Sequence, residues 1–176
     1  MAGKEESVPL KEAVREVEVA MSRVALLHLS FSRVLVDEFG EEKGKELVVQ
    51  SILEYGKRIG ERTKRGCQDL PSYGVVGRFE DNKAYDCVLA KIFREYGEED
   101  LGCLYCYVDG AKSMALDSAS KFIHKTCAAC GDNYCTFERK QTTEKERRDF
   151  EEKSSDWKNI DPRIVEGLKK DKQQGD

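Results

Sequence analysis

Five of the seven cysteines, one of the two histidines and three aspartates fall between Leu101 and Phe137. These side chains carry chemistry: a thiolate is a nucleophile and a soft metal ligand, an imidazole moves protons or binds metal, and a carboxylate orients or neutralises a cation. The spacing Cys103-x2-Cys106-x20-Cys127-x2-Cys130 lies at the edge of the paired pattern of tetrahedral zinc sites. Cys127-Ala-Ala-Cys130-Gly131 resembles a metal knuckle, because a glycine after the second cysteine permits the tight turn. Cys103-Leu-Tyr-Cys106 sits in an apolar helical run instead, where an i, i+3 pair can still face a metal. Zinc or an iron–sulfur cluster held by Cys103, Cys106, Cys127 and Cys130 is one reading. Simple packing of the thiols accounts for three or four of the five and poorly for all of them.

The elements that must position these residues follow from periodicity. Residues 9–39 predict one long helix, with Leu10, Val14, Val17, Met21, Val24, His28, Phe31 and Leu35 recurring at spacings of four and three. Pro9 suits its first turn and Gly40 the residue past its end. His28 on that stripe is either a core histidine bonded to a carbonyl or a lining residue of the pocket. A second helix is expected over 41–64, with Leu47, Val48, Ile52, Tyr55 and Ile59 on its apolar face. Gly56 and Gly60 each cost about 1 kcal/mol inside a helix, and their four-residue spacing would be justified by another element approaching closely. Tyr55, Arg58 and Arg62 are candidates for an anionic ligand, against the plainer reading of arginines at a helix end.

Residues 66–79 carry turn signals, with Val75 and Val76 in a short strand and Cys67 exposed without a role. Residues 84–96 return to helical spacing, with Cys87 a small buried side chain. A further helix from Glu98 carries Cys103, Cys106 and Tyr107, with Asp109 beside Cys106 at i+3. Residues 121–128 alternate as a strand, Phe122, His124 and Thr126 pointing one way and Ile123, Lys125 and Cys127 the other. Cys130 to Asn133 form turns, and 134–139 is the returning strand of a hairpin. A helix face bearing thiol and carboxylate would then meet a hairpin bearing His124, Asp132 and Cys135. Beyond Lys140 the chain is charged; Asp161-Pro162 cap a short helix near 162–169 that Trp157, Ile160, Ile164 and Leu168 dock.

These elements predict an α+β fold, several helices packed on a small, mostly antiparallel sheet, with a single domain over 9–140 and a charged C-terminal extension over 141–176. Charged residues make up 36% of the chain, and the net charge of −4 with interspersed signs leaves no basic footprint for nucleic acid. No uninterrupted apolar run is long enough to cross a bilayer, and the odd cysteine count argues against a disulfide framework. The expectation is a soluble, cytoplasmic protein with free, metal-bound or catalytic thiols and a small-molecule partner. A homodimer through the stripe of the first helix is a blander alternative.

Cys106-x-x-Asp109, Thr126 and Gly131-Asp132-x-x-Cys135-x-Phe137 resemble the signature of the L-2-amino-thiazoline-4-carboxylic acid hydrolase family. The upstream DEFGEEKGKEL and YGKRIGER stretches are similar too, so the resemblance covers most of residues 20–140. Cys103, Cys127 and Cys130 are extra to that pattern. The resemblance implies a hydrolase that opens a cyclic isothiourea to an N-carbamoyl-cysteine and requires no cofactor. Such chemistry needs a carboxylate for the amidinium, a nucleophile such as Cys106, and a general acid for the leaving sulfur from His124, Asp132 or Cys135. Arg58 or Arg62 would hold the substrate carboxylate. Asp109, Asp132, Cys135 and His124 also have plain structural readings, as a helix-face residue, a turn holder, a core thiol and a packed ring. The alternative function is a non-catalytic small-molecule or metal-binding sensor domain.

Overall fold

The structure, a computed structural model, describes residues 8–66 and 78–171. The turn region with Cys67, Pro71, Val75 and Val76 lies outside the described residues, as does the side chain of Arg62. The architecture is α+β: helices α1 (Leu10–Phe39), α2 (Glu41–Lys64), α3 (Val88–Glu95), α4 (Glu99–Gly102), α5 (Tyr107–Leu116), α6 (Glu144–Glu151) and α7 (Pro162–Asp171) surround two small antiparallel sheets. One sheet pairs β1 (Arg78–Glu80) with β2 (Lys83–Tyr85); the other pairs β3 (Ser120–Thr126) with β4 (Thr136–Gln141).

The main packing surface joins α2 to α5. A Cβ built on Gly56 would stand 2.3 Å from the Ala111 Cβ, and one on Gly60 would stand 2.5 Å from the Ala115 Cβ. The close approach that the two glycines foreshadow is therefore made by two alanines at the same spacing on α5. Leu53, Phe93, Leu101, Leu104, Tyr107, Met114, Trp157 and Ile164 fill the core around this contact.

Two expectations about the helices are corrected. In α1 the buried residues are Ala25, Leu29, Ser32 and Val36, whereas Leu10, Val24 and Phe31 of the expected stripe are exposed. Small Ala25 and Ser32 let the helix lie close to its neighbours, and that contact wins over the longer apolar row. By length and composition α1 is also apolar enough to cross a membrane, although Arg23 and Arg33 interrupt its apolar run. The helix expected over 84–96 begins only at Val88, because Lys83–Tyr85 pair with Arg78–Glu80 across a turn at Asp81 and Asn82, whose φ values are 49° and 59°. An aspartate and an asparagine tolerate that left-handed pair, which two-residue hairpins need.

The chain beyond residue 140 is packed into the same body. Trp157, Ile160 and Ile164 are buried, and α7 lies against β3. Thr143 caps α6 in a reciprocal capping box with Glu146, which also pairs with the nearly buried Lys121. Burial raises the Glu146 carboxyl, but Lys121 and Thr143 outweigh it and hold it below its ordinary value. Its contribution is therefore present above pH 4.5 and lost as pH falls through the lower folded value. Glu146→Gln is expected to cost about 1–2 kcal/mol at neutral pH, because Lys121 loses its partner, and less at acid pH. Denaturant titrations of both proteins at pH 7 and pH 4 check this; a difference that does not shrink in acid counts against it.

Candidate metal and catalytic centre

The helix expected through residues 98–110 is broken into α4, a 3₁₀ turn at Cys103–Cys106, and α5. Gly102 lets this segment lie directly against Phe93, since a Cβ there would stand 2.2 Å from the ring. Cys103 is buried with its thiol donating to the Asp100 carbonyl at 3.3 Å, while Cys106 and Asp109 stay partly open to solvent.

The second half of the centre comes from β3 and the turn after it. Strict alternation would place His124 and Cys127 on opposite faces. The register of β3 against β4 shifts between His124 and Thr126, and this irregularity turns Cys127 back toward the histidine. Asp132 then fixes the turn: its Oδ2 accepts from the Cys127 backbone N–H at 2.7 Å and from Arg163 Nε at 2.7 Å. Gly131 completes it with φ 90°, a conformation that suits glycine. Cys135 is anchored from the other side, its backbone N–H and carbonyl both paired with Ala84 at 2.9 Å.

Cys106, His124 and Cys127 thereby each offer one ligand atom within 4.8 Å of the other two, a group that could hold a metal ion. His124 is oriented from behind. Its Nδ1 and its backbone N–H both donate to Asp161 Oδ2, at 2.8 and 2.9 Å, and Asp161 is itself only 2% exposed. That leaves Nε2 facing the thiols, with Asp109 Oδ2 3.6 Å away. A carboxylate behind a histidine is the usual support of a histidine metal ligand, because it fixes the ring and raises its basicity. Tetrahedral zinc, with bonds of about 2.0–2.3 Å, would bring the three donors to about 3.6 Å from one another. A contraction of this size is within reach of side-chain rotation.

The electrostatics are those of a tightly coupled cluster. Burial opposes charge on His124, yet Asp161, Cys127 and Asp109 together push its pKa up to about 9. The Cys106 thiol is held well above its ordinary value, first by its hydrogen bond to Cys127 and then by burial. That bond lowers Cys127, making it the thiol favoured to ionise. Cys135 is pushed up by its bond to Cys127, and Cys130 by its bond to Cys103. Desolvation raises Asp109 although its side chain keeps 40% of its surface, which makes it a rim group rather than a core one.

The structure thus gathers Cys106, Asp109, His124 and Cys135 with Cys127, and puts Cys103 and Cys130 in contact beside them. Of the four cysteines expected as ligands, Cys106 and Cys127 share the compact group with His124, and Cys130 touches both Cys127 and Cys103. Asp132 is bonded to backbone and to Arg163, its plainer turn-holding role. Arg58 lies on the exposed side of α2 paired with Glu54, and Tyr55 is exposed with its ring against Tyr105. His28 Nε2 bonds the Leu101 carbonyl at 2.9 Å and its ring packs on Phe93 and Tyr105, the core reading of that residue.

Two residues of the neighbourhood were not foreseen from the sequence. Asp161 was legible only as a helix cap, which it is, since its Oδ1 accepts from the Arg163 N–H at 3.1 Å. Arg163, whose Nη2 donates to the Cys130 carbonyl at 2.8 Å, lines a cavity of about 640 Å³ with Cys103, Cys130 and Asp132. No local signal marks either one, because both arrive from a helix distant in sequence. Comparisons with protein-family profiles, with curated proteins and with solved structures return no match for this chain, so the centre stands on its own geometry.

Proposed function

We propose that this chain is a metal-dependent hydrolase acting at the amidine carbon of a small cyclic amidine or isothiourea. The observation that carries the reading is the convergence of Cys106, Cys127 and His124 on one point, with His124 held by buried Asp161. One histidine, two cysteines and a nearby carboxylate that is not a ligand form the donor set of the zinc nucleobase deaminases, which also attack a ring amidine carbon. The sequence resemblance to aminothiazoline carboxylate hydrolases points to the same bond type. A zinc ion so held would supply an activated water at neutral pH.

The chain's own residues supply the rest. Asp161 fixes the His124 ring so that Nε2 faces the two sulfurs. Cys127, the thiol favoured to ionise, and Cys106 complete the ligand set. Asp109, on the open side, takes the proton from the attacking water and returns it to the ring sulfur. The carbon–oxygen bond forms as the carbon–nitrogen π pair moves onto the ring nitrogen of the amidinium. The hydroxyl left on carbon then loses its proton to solvent and becomes the carbonyl as the carbon–sulfur bond breaks, and the thiol leaves with the proton from Asp109.

The test is elemental analysis together with thiol release from 2-aminothiazoline-4-carboxylate. Expected are about one metal ion per chain, turnover that chelation abolishes and zinc restores, and loss of both metal and turnover in Cys127→Ser. Absence of metal in reduced protein sinks the reading. Closure favours a second one: Cys127 is fully buried and His124 only 4% exposed, as in structural metal sites. Stoichiometric metal without thiol release decides for a binding or sensor domain.

A further inference from the structure

We infer that α1 is the pairing surface of a homodimer, each copy laying the outer face of this helix against the same face of a second copy. Helix α1 has two apolar faces. One, with Met21, Ala25 and Leu29, packs into the body. The other is a seam of Val17, Ala20, Val24, Leu27, Phe31 and Val34, spaced alternately by three and four residues. Its C-terminal half is open: Val24 is 37% exposed, Leu27 58%, Phe31 65% and Val34 63%. Scattered apolar residues on a surface need no explanation, but a continuous row on a single helix does.

The pattern also says what covers it. A spacing alternating between three and four averages 3.5 residues, the repeat of a seam that winds around a partner helix of the same kind. Val17, Val24 and Phe31 fall at one seam position and Ala20, Leu27 and Val34 at the other, an apolar repeat that a second copy of the same helix can mesh with. Along the seam from Val17 to Val34, side-by-side pairing covers a strip about 26 Å long and 10–12 Å wide on each copy. That is about 600 Å² over the pair, the size of a weak, reversible interface. A lipid surface fits less well. A helix lying on a membrane carries basic flanks, whereas the residues bordering this seam include Glu16, Arg23, Ser30 and Asp37.

Sedimentation equilibrium of the full reduced chain, with and without Leu27→Glu/Phe31→Glu, tests the inference. The wild-type protein is expected at twice its 20.0 kDa chain mass, and the double variant at 20.0 kDa with an unchanged helical circular dichroism spectrum. Leu27→Gln/Phe31→Gln, which adds no charge, serves if the glutamate variant misfolds, and should weaken dimerisation at least tenfold. A monomeric wild type overturns the proposal. So does a dimer that both variants leave intact, which places the interface elsewhere. A wild-type monomer that sediments with phosphatidylcholine–phosphatidylglycerol vesicles overturns it in favour of a lipid surface. Metal content and thiol release play no part in the readout, so failure here leaves the proposed chemistry untouched.

Discussion

Asp161→Ala is expected to destabilise the protein by about 3–5 kcal/mol and to remove its capacity for metal. One oxygen of this buried carboxylate accepts from the His124 backbone and ring at 2.9 and 2.8 Å; the other accepts from the Arg163 and Ile164 backbones at 3.1 and 3.4 Å. Losing the cap of α7 costs about 1 kcal/mol. Leaving a buried histidine without its carboxylate costs about 3–5 kcal/mol when the ring is charged. The isosteric Asp161→Asn separates the roles, because it keeps an acceptor for the cap and loses the charge. In that variant metal affinity should fall about 10–100-fold, the usual effect of removing a carboxylate behind a histidine ligand.

The chelated protein gives an independent check. The folded-state pKa of His124 is raised from 6.5 to about 9, so its stabilisation is fully present below pH 6.5 and lost as pH rises through 9. Asp161→Asn should flatten that slope. Wild-type metal affinity in Asp161→Asn would show that the carboxylate does not orient the ligand.

Gly56→Ala should destabilise the chain by about 2 kcal/mol, and Gly56→Ala/Gly60→Ala by about 4 kcal/mol, although alanine is the better helix former by about 1 kcal/mol at each position. The added methyl groups would stand 2.3 and 2.5 Å from the Cβ atoms of Ala111 and Ala115, so α2 and α5 must separate. Helix α5 begins directly after Cys106 and carries Asp109, so a separation of about 1 Å also misplaces half of the centre; for the proposed hydrolase, that is enough to lower turnover about 100-fold. Thermal or denaturant unfolding beside the exposed control Lys43→Ala measures the stability effect. Variants as stable as the wild type would mean that the two helices do not touch at these glycines.

The same pair of glycines shows how far local pattern reaches. Their spacing announced a close neighbour because the cost of glycine in a helix is local, but it could not say that the neighbour would be Ala111 and Ala115. Periodicity likewise placed a long first helix, with a row only partly on the packed face: Met21, His28 and Leu35 touch the core, while Leu10, Val24 and Phe31 face outward. The longer side chains formed the more regular row, while close packing selected Ala25 and Ser32. The hairpin carrying His124 was legible from alternation. Its bulge was not, because a register shift is decided by the partner strand.

The sequence alone determined that the chain is α+β and that its chemistry concentrates between Leu101 and Phe137, since residue type, helix and strand periods and turn chemistry are local properties. Tertiary structure decided which of those residues meet. It set His124 beside Cys127 through an irregular register and brought Asp161 from a distant helix to orient the ring. It also put Cys130 in contact with both Cys103 and Cys127, so that the expected four cysteines form a chain of contacts with His124 at one end. Those outcomes depend on how elements far apart in the chain pack. The dense run of cysteines therefore marked the place, and the fold chose a Cys106–Cys127–His124 centre within it.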